Sequence, residues 1–330
     1  MPDCLIIQPI HERGMQVLRD AGITPRPASA SDMATVAREM GDAVAAITRN
    51  AGFSRAALDA APRLRVIGNH GIGTDPVDVV RATELGIPVV NNPTANVISV
   101  AEHAIGLMLA VARRMLPADQ AARARDFRWK FSHPQVELFG KTLGIIGFGV
   151  IGRETARRAA AGFGMTPLVY SPSVPDSALE GFARATTIEE LLRRSDVVSL
   201  HVKLTPATRN LLSAERLLLM KPGAILINTA RGAAVDEAAL ATLLREGKLF
   251  GAGIDVFAQE PPPEGHPLLD APNCVLAPHA GGSTEEALVR TAEECARQVV
   301  DVLEGRRPAN IVNPDSWDRR RRAPAEGTAA

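Results

Sequence analysis

The stretch Leu143-Gly144-Ile145-Ile146-Gly147-Phe148-Gly149-Val150-Ile151-Gly152-Arg153 is an apolar run that breaks into three glycines spaced Gly-x-Gly-x-x-Gly. A continuous apolar run is the pattern of a strand buried on both faces of a parallel sheet. Residues 153–163 are rich in alanine and arginine and suit a helix. A strand, a tight glycine turn and a helix N-terminus together make a cradle for a pyrophosphate. In that unit Gly147 permits the turn, Gly149 lets the backbone come close to phosphates, and Gly152 lets the helix pack on the strand. The feature commits the chain to α/β architecture and points to a bound dinucleotide.

The 330 residues exceed one compact core and suit two domains. Short apolar segments alternate with helical ones almost throughout, as in parallel α/β folds. Strands are predicted at 4–8, 43–48, 64–68 and 88–91, with helices such as 12–21 and 54–60 between them. These form a small α/β unit ahead of the glycine motif. Residues 97–116 read as one long, largely apolar helix that bridges domains or meets another subunit. A second series of strands follows at 143–147, 168–170, 197–200, 224–228, 251–255 and 275–277, enough for a doubly wound sheet of six. An amphipathic helix over 284–304 comes next, and 308–313 returns the chain to the first unit. The expected division is therefore 1–98 with 285–313, 99–284, and a disordered tail over 314–330 marked by Arg319-Arg320-Arg321-Arg322.

Composition narrows the function. The formal net charge is zero, so no basic field argues for nucleic acid. Cys4, Cys274 and Cys295 are scattered, show no metal-ligand spacing, and suit reduced thiols of a cytoplasmic protein. No bound metal is expected. The first ten residues lack a basic region followed by a long apolar stretch, so no signal peptide is expected. No apolar run approaches the roughly 20 residues of a membrane span.

Open α/β sheets bind ligands beyond the carboxyl ends of their strands. Three consecutive predicted strand ends carry unusual residues: Asn228-Thr229-Ala230-Arg231-Gly232, Asp255-Val256-Phe257-Ala258-Gln259-Glu260-Pro261 and Ala277-Pro278-His279-Ala280-Gly281-Gly282. Singly, Arg231 suits a surface ion pair, Glu260 a solvated carboxylate and His279 a structural histidine. Together they supply what reduction of a 2-keto acid needs. A guanidinium grips a carboxylate at two points. An imidazole passes a proton both ways near neutrality. A carboxylate beside the imidazole fixes its tautomer and favours its charged form.

These motifs, with Gly71-Ile72-Gly73-Thr74-Asp75 and Val100-Ala101-Glu102-His103, make residues 1–313 similar to the D-isomer-specific 2-hydroxyacid dehydrogenases. The resemblance implies two Rossmann-like doubly wound α/β domains. One is a discontinuous, flavodoxin-like substrate domain, and the other is an inserted NAD(P)-binding domain. It implies hydride transfer between NAD or NADP and a small D-2-hydroxy or 2-keto acid, as in hydroxypyruvate or glyoxylate reductases and 3-phosphoglycerate dehydrogenases. A homodimer is implied too. Arg231 would hold the substrate carboxylate, His279 would act as acid/base, and Glu260 would bond His279. The loop His70, Gly71, Ile72 and Gly73 would offer N–H groups to the substrate, in a cleft that closes around it. Val150 and Ile151 would meet the pyrophosphate beside Gly147, Gly149 and Gly152. His201, Lys203 and Thr205 would line the adenosine side. Thr229, Ala230 and Gly281 complete the cofactor set, with Asp255 near the nicotinamide.

The sequence departs from the NAD-using pattern at one place. Ser171, in Tyr170-Ser171-Pro172-Ser173, stands where an acid usually binds the ribose. Residues 171–176 contain no arginine to greet a 2′-phosphate, while Lys203 stands where the family commonly has proline. Dual cofactor use is expected, with the family's habit favouring NAD. Two alternatives share the fold. One is a phosphite dehydrogenase-like enzyme using the same Arg, Glu and His. The other is a dinucleotide-sensing protein of the corepressor kind that does no chemistry.

Overall fold

In the computed structural model, residues 2–322 are described. Contacts divide the chain into two units. The first runs to Asn96 and resumes at Gly282, and the second is Val97–Gly281.

The first unit is built on five parallel strands: β1 (Asp3–Ile6), β2 (Thr24–Pro27), β3 (Ala45–Thr48), β4 (Val66–Asn69) and β5 (Val89–Val90). Their order is β2-β1-β3-β4-β5, the flavodoxin-like arrangement. Side chains alternate across the sheet. Leu5 and Ile7 enter one core with Val36, Phe53 and Ile67, while Cys4 and Ile6 enter another with Leu18, Ile47 and Val299. Burial on both faces is why these strands read as continuous apolar runs. Strand β2 went unpredicted because its sequence, Thr-Pro-Arg-Pro, is polar and partly exposed; an edge strand can tolerate its prolines.

The chain comes back along Glu285–Leu303, a helix with Thr284 as N-cap, whose side chain accepts from Ala287 N. Ile311 then bridges Val90 in antiparallel fashion. Asn313 clamps the edge of β5, accepting from Val89 N (2.8 Å) and donating to Ile87 O (3.0 Å). The expected disordered tail is corrected over 314–322. Trp317 is 8% exposed in the second core, with the Arg320 guanidinium 3.9 Å over its ring. Arg321 donates to the carbonyls of Ala61, Pro62 and Leu64. One buried indole and these open carbonyls outweigh the four adjacent charges. Residues 323–330 of that expected tail lie outside the described residues.

The second unit holds seven parallel strands: β6 (Thr142–Ile146), β7 (Thr166–Tyr170), β8 (Ala183–Arg184), β9 (Val197–Leu200), β10 (Ile225–Asn228), β11 (Gly251–Ile254) and β12 (Cys274–Leu276). The order is β12-β11-β10-β9-β6-β7-β8, a doubly wound Rossmann-like sheet whose direction of winding reverses between β6 and β9. That makes seven strands rather than six; β8, two residues at the edge, carries no periodicity to read. The single helix expected over 97–116 is two. Val97–Ala112 ends before Arg114, which is left-handed at φ 47, and Met115–Arg123 follows with no buried side chain.

Helix Val97–Ala112 lies directly on the sheet, and β11 is shaped to receive it. A Cβ on Gly253 would fall 2.8 Å from Leu107 Cβ, and one on Gly251 would fall 2.6 Å from Val111 Cγ1. The spelling Gly-Ala-Gly-Ile is therefore a packing requirement. Gly253→Ala is expected to destabilise the protein by about 1–3 kcal/mol through overpacking. A lower denaturation midpoint with unchanged slope in urea titration would show this; an unchanged midpoint would contradict the close approach.

Candidate active site

Because β10, β11 and β12 are adjacent and parallel, with Asn228 opposite Ile254 and Ile254 opposite Leu276, their carboxyl ends lie side by side. The buried Asn228 side chain folds the first loop. Its Oδ1 accepts from Ala230 N (3.0 Å) and its Nδ2 donates to Arg231 O (3.0 Å). Arg231 follows in extended conformation, and its Nη1 donates to Ala230 O at 2.7 Å. The second loop lies on Gly232, where a Cβ would meet the Phe257 carbonyl carbon at 1.9 Å. Phe257 N donates to Glu260 Oε1 (3.1 Å), and Glu260 Oε2 lies 2.8 Å from His279 Nδ1. His279 itself is left-handed, at φ 55, and its N–H donates to Asp255 O at 2.7 Å.

The three residues expected to act together are thus held within one unit. Burial pushes the Glu260 carboxyl up. The bond from His279, the His279 charge, Phe257 N–H and the Arg231 charge outweigh it and hold the carboxyl below its usual range. An anionic Glu260 assigns the proton of the contact to His279 Nδ1. Nε2 is then free to accept a proton, or to give one when the ring is charged. A guanidinium whose charge is felt at Glu260, together with such an imidazole, can orient a carboxylate and move a proton at a neighbouring oxygen.

The glycine turn between β6 and helix Val150–Phe163 has the geometry of a phosphate cradle. Gly147 has φ 93, and a Cβ on Gly152 would collide with Gly147 O at 2.1 Å. Gly149 is the N-cap and provides no side-chain cap, and a Cβ there would meet nothing within 4 Å. Val150 at the first turn is exposed, while Ile151 is partly covered. The first N–H groups of a helix need partners, so an uncapped start facing open space fits an anionic group. Thr229 Oγ1 is buried without a partner among the described residues, and Ala230 beside it is buried. These residues fit a dinucleotide phosphate and its neighbourhood.

The remaining expected cofactor residues differ in what they offer. His201 is turned inward: its ring bonds Ser199 Oγ at 2.9 Å, and burial pushes it down to about 4. Thr205 N donates to Thr208 Oγ1 (2.8 Å) and shapes its own turn. Lys203 is exposed and pairs with no described carboxylate. Gly281 is buried, and its N–H donates to Asp255 Oδ2 at 3.0 Å. Ser171 is 5% exposed. The arginine that 171–176 lacks arrives from elsewhere. Arg184, on β8, donates through Nη1 to Ser171 O (3.1 Å), through Nη2 to Val174 O (2.5 Å), and through Nε to the Asp176 carboxylate. No motif announced it, because β8 itself is only two residues long and the arginine lies 13 positions from Ser171.

In the first unit, the loop after β4 has its carbonyls tied back. Asn69 Nδ2 donates to Gly71 O (3.1 Å) and Gly73 O (3.0 Å), and Asn91 Nδ2 to Ile72 O (2.8 Å). No described residue accepts from the N–H of Ile72 or Gly73. His70 is buried, its Nε2 has no partner among the described residues, and burial followed by the charge of Arg49 pushes it down to about 4.

Residues 105–281 match the family described as D-isomer specific 2-hydroxyacid dehydrogenase, NAD binding domain. The chain is 40% identical over 317 residues to a D-3-phosphoglycerate dehydrogenase from Methanocaldococcus jannaschii, a match covering 95% of this chain and 60% of that protein. It is 44% identical over 267 residues to a glyoxylate reductase from Thermococcus litoralis, covering 78% of this chain and 80% of that one. Among solved structures it is similar to an NADPH-dependent glyoxylate/hydroxypyruvate reductase from Sinorhizobium meliloti in complex with NADP and malonate. That similarity has a TM-score of 0.86 at 31% identity and covers 98% of this chain and 99% of the other.

Proposed function

The chain belongs to the D-isomer specific 2-hydroxyacid dehydrogenase family, and from this we propose that it interconverts a small D-2-hydroxy acid and its 2-keto acid with a nicotinamide dinucleotide. The observation that carries the reading is the 2.8 Å His279–Glu260 contact beside Arg231. The dinucleotide, when bound, supplies the hydride for reduction and accepts it in oxidation. Arg231 grips the substrate carboxylate. His279 Nε2 gives a proton to the oxygen that becomes the hydroxyl, and takes it back in the reverse direction. Glu260 holds the ring by Nδ1 and stabilises the imidazolium. The turn over Gly147, Gly149 and Gly152 would hold the pyrophosphate with Val150 and Ile151, and Thr229 and Ala230 would line the cofactor beyond it. The N–H groups of Ile72 and Gly73 suit a substrate carboxylate.

Glyoxylate and hydroxypyruvate are the first substrates to test. A second reading, a phosphorylated 2-keto acid, is favoured by Arg49. Its guanidinium is bonded to Pro9 O at 3.0 Å and pairs with no described carboxylate. Cofactor discrimination is weak on this reading, because Ser171 repels no 2′-phosphate and Arg184 stands behind the same loop. The free thiols Cys4, Cys274 and Cys295 suit a cytoplasmic setting. No helix among the described residues is long and apolar enough to cross a membrane. A homodimer accounts for helix Met115–Arg123, which has no fully buried side chain, and for Met115, Leu116, Phe127 and Phe131, the last 80% exposed.

Arg231→Ala is expected to raise KM and lower kcat, costing about 4 kcal/mol in kcat/KM, roughly a thousandfold. Steady-state kinetics with glyoxylate, hydroxypyruvate and 3-phosphohydroxypyruvate check it. Wild-type kinetics in the variant would remove Arg231 from the site, and turnover of phosphite alone would replace the reading. Ser171→Asp is expected to weaken NADPH relative to NADH by at least about tenfold, about 1.4 kcal/mol. Calorimetric binding of the two dinucleotides reports this without turnover. Leu116→Glu with Phe131→Glu is expected to convert dimers to monomers in sedimentation velocity. A wild type that sediments as a monomer would refute the dimer.

A further inference from the structure

The motif Val100-Ala101-Glu102-His103 has no part in the chemistry so far. His103 lies on helix Val97–Ala112, and its Nε2 is 3.2 Å from Asp255 Oδ1, an ion-pair contact whose alignment falls short of a hydrogen bond. Asp255 is 2% exposed. Its own N–H donates to Asn228 O (2.9 Å), and every other bond it accepts comes from the turn that carries the proposed acid/base. Oδ1 accepts from Ala280 N (2.7 Å), Oδ2 from Gly281 N (3.0 Å), and the backbone carbonyl from His279 N (2.7 Å). That turn needs holding, because His279 is left-handed at φ 55, a conformation disfavoured for a side chain with a Cβ. Such residues persist where their surroundings over-determine them.

The pair is packed closely against Gly281. A Cβ on Gly281 would sit 2.9 Å from Asp255 Oδ2 and 3.4 Å from His103 Cδ2. Burial pushes the Asp255 carboxyl up, while the His103 interaction and the Ala280 and Gly281 N–H groups hold it below its usual range. Asp255 is thus an anion in the interior, and His103 is the one side chain that meets it in the contacts above. A buried charge stripped of its partner neutralises or moves. Either response would slacken the N–H bonds that fix His279.

We propose that His103 is a positioning residue for the dehydrogenase reaction: it holds Asp255 in place and, through Asp255, sets the His279 turn against Glu260. The proposal rests on the hydride-transfer reading for its kinetic consequence, though not for its structural one.

His103→Leu is expected to lower kcat by about 10- to 100-fold, the usual effect of removing a supporting partner, with KM for the keto acid little changed. The contact is made by Nε2, so His103→Gln, whose amide nitrogen reaches the same place, should restore most of kcat, whereas His103→Asn should not. Hydrogen–deuterium exchange of peptides spanning 279–281 gives a readout independent of turnover. Exchange there should quicken in His103→Leu and in Asp255→Asn while β9 and β10 stay protected. Wild-type kcat or unchanged exchange at 279–281 in His103→Leu would overturn the proposal, as would equal loss of kcat in the Gln and Leu variants. If the wild-type protein reduces no 2-keto acid yet exchange at 279–281 responds, the catalytic reading fails and the positioning role stands.

Discussion

A carboxylate in a protein interior persists only where donors converge on it, and the site depends on one that does. Asp255 sits just past the end of β11, with N–H groups from Ala280 and Gly281 and the His103 ring gathered on its oxygens. The same residue accepts His279 N on its backbone carbonyl. An isolated buried charge would be prohibitive, and its removal from such a network is strongly unfavourable. The chain after β12 is therefore not free to choose its own turn. It adopts a left-handed conformation at His279, with the N–H groups of 279–281 bonded to Asp255 and the imidazole in contact with Glu260.

Around that anchor, the architecture works by close approach. Gly152 allows the helix after β6 to press on the glycine turn, Gly232 allows the loop after β11 to lie across the loop after β10, and Gly253 allows helix Val97–Ala112 to settle on β11. Each position would be filled or strained by a single methyl. Two of these contacts bear directly on the chemistry, since Phe257, above Gly232, supplies the N–H that Glu260 Oε1 accepts, and helix Val97–Ala112 carries His103. The glycines are thus the covalent precondition for placing charged groups that lie far apart in the chain.

This explains which parts were legible in the sequence. The buried strands announce themselves because burial on both faces demands largely apolar residues, as in Ile225-Leu226-Ile227 of β10 and Val197-Val198 of β9. The strand ends announce themselves because polar residues follow those runs abruptly. Elements that do not pay with apolar surface are silent. Strand β2 is written in prolines and β8 in two residues, both at sheet edges where one partner suffices. The break at Arg114 is silent too, since left-handed arginine has no spelling of its own. The Arg319–Arg322 run misleads because its charge suggests solvent while Trp317 anchors the neighbouring chain under Arg320. His103 was visible as part of a motif, but its partner lies 152 positions away on another strand end, a pairing that only the register of β11 against β12 and the helix above it creates.

The choice of cofactor turns on the same distinction between local and assembled charge. At the end of β7 the local spelling is neutral: Ser171 neither binds ribose as an acid would nor repels a phosphate. The assembled charge is Arg184, whose guanidinium is shared between two carbonyls and Asp176. The carbonyl bonds are part of the loop's structure and remain whichever dinucleotide arrives. The Asp176 partner is different. Its side chain is 83% exposed, and ion pairs with so exposed a member are worth about 0–1 kcal/mol. A charge-assisted bond to a phosphate is worth about 1.5–3 kcal/mol. On the proposed reading, exchanging the exposed carboxylate for a 2′-phosphate would cost less than it returns, so NADP would not be excluded even though no arginine stands in the loop itself. NAD meets no compensating acid at Ser171. On the proposed reading, the balance between the two cofactors would rest on a residue of the sheet's outermost strand, where sequence pattern is weakest.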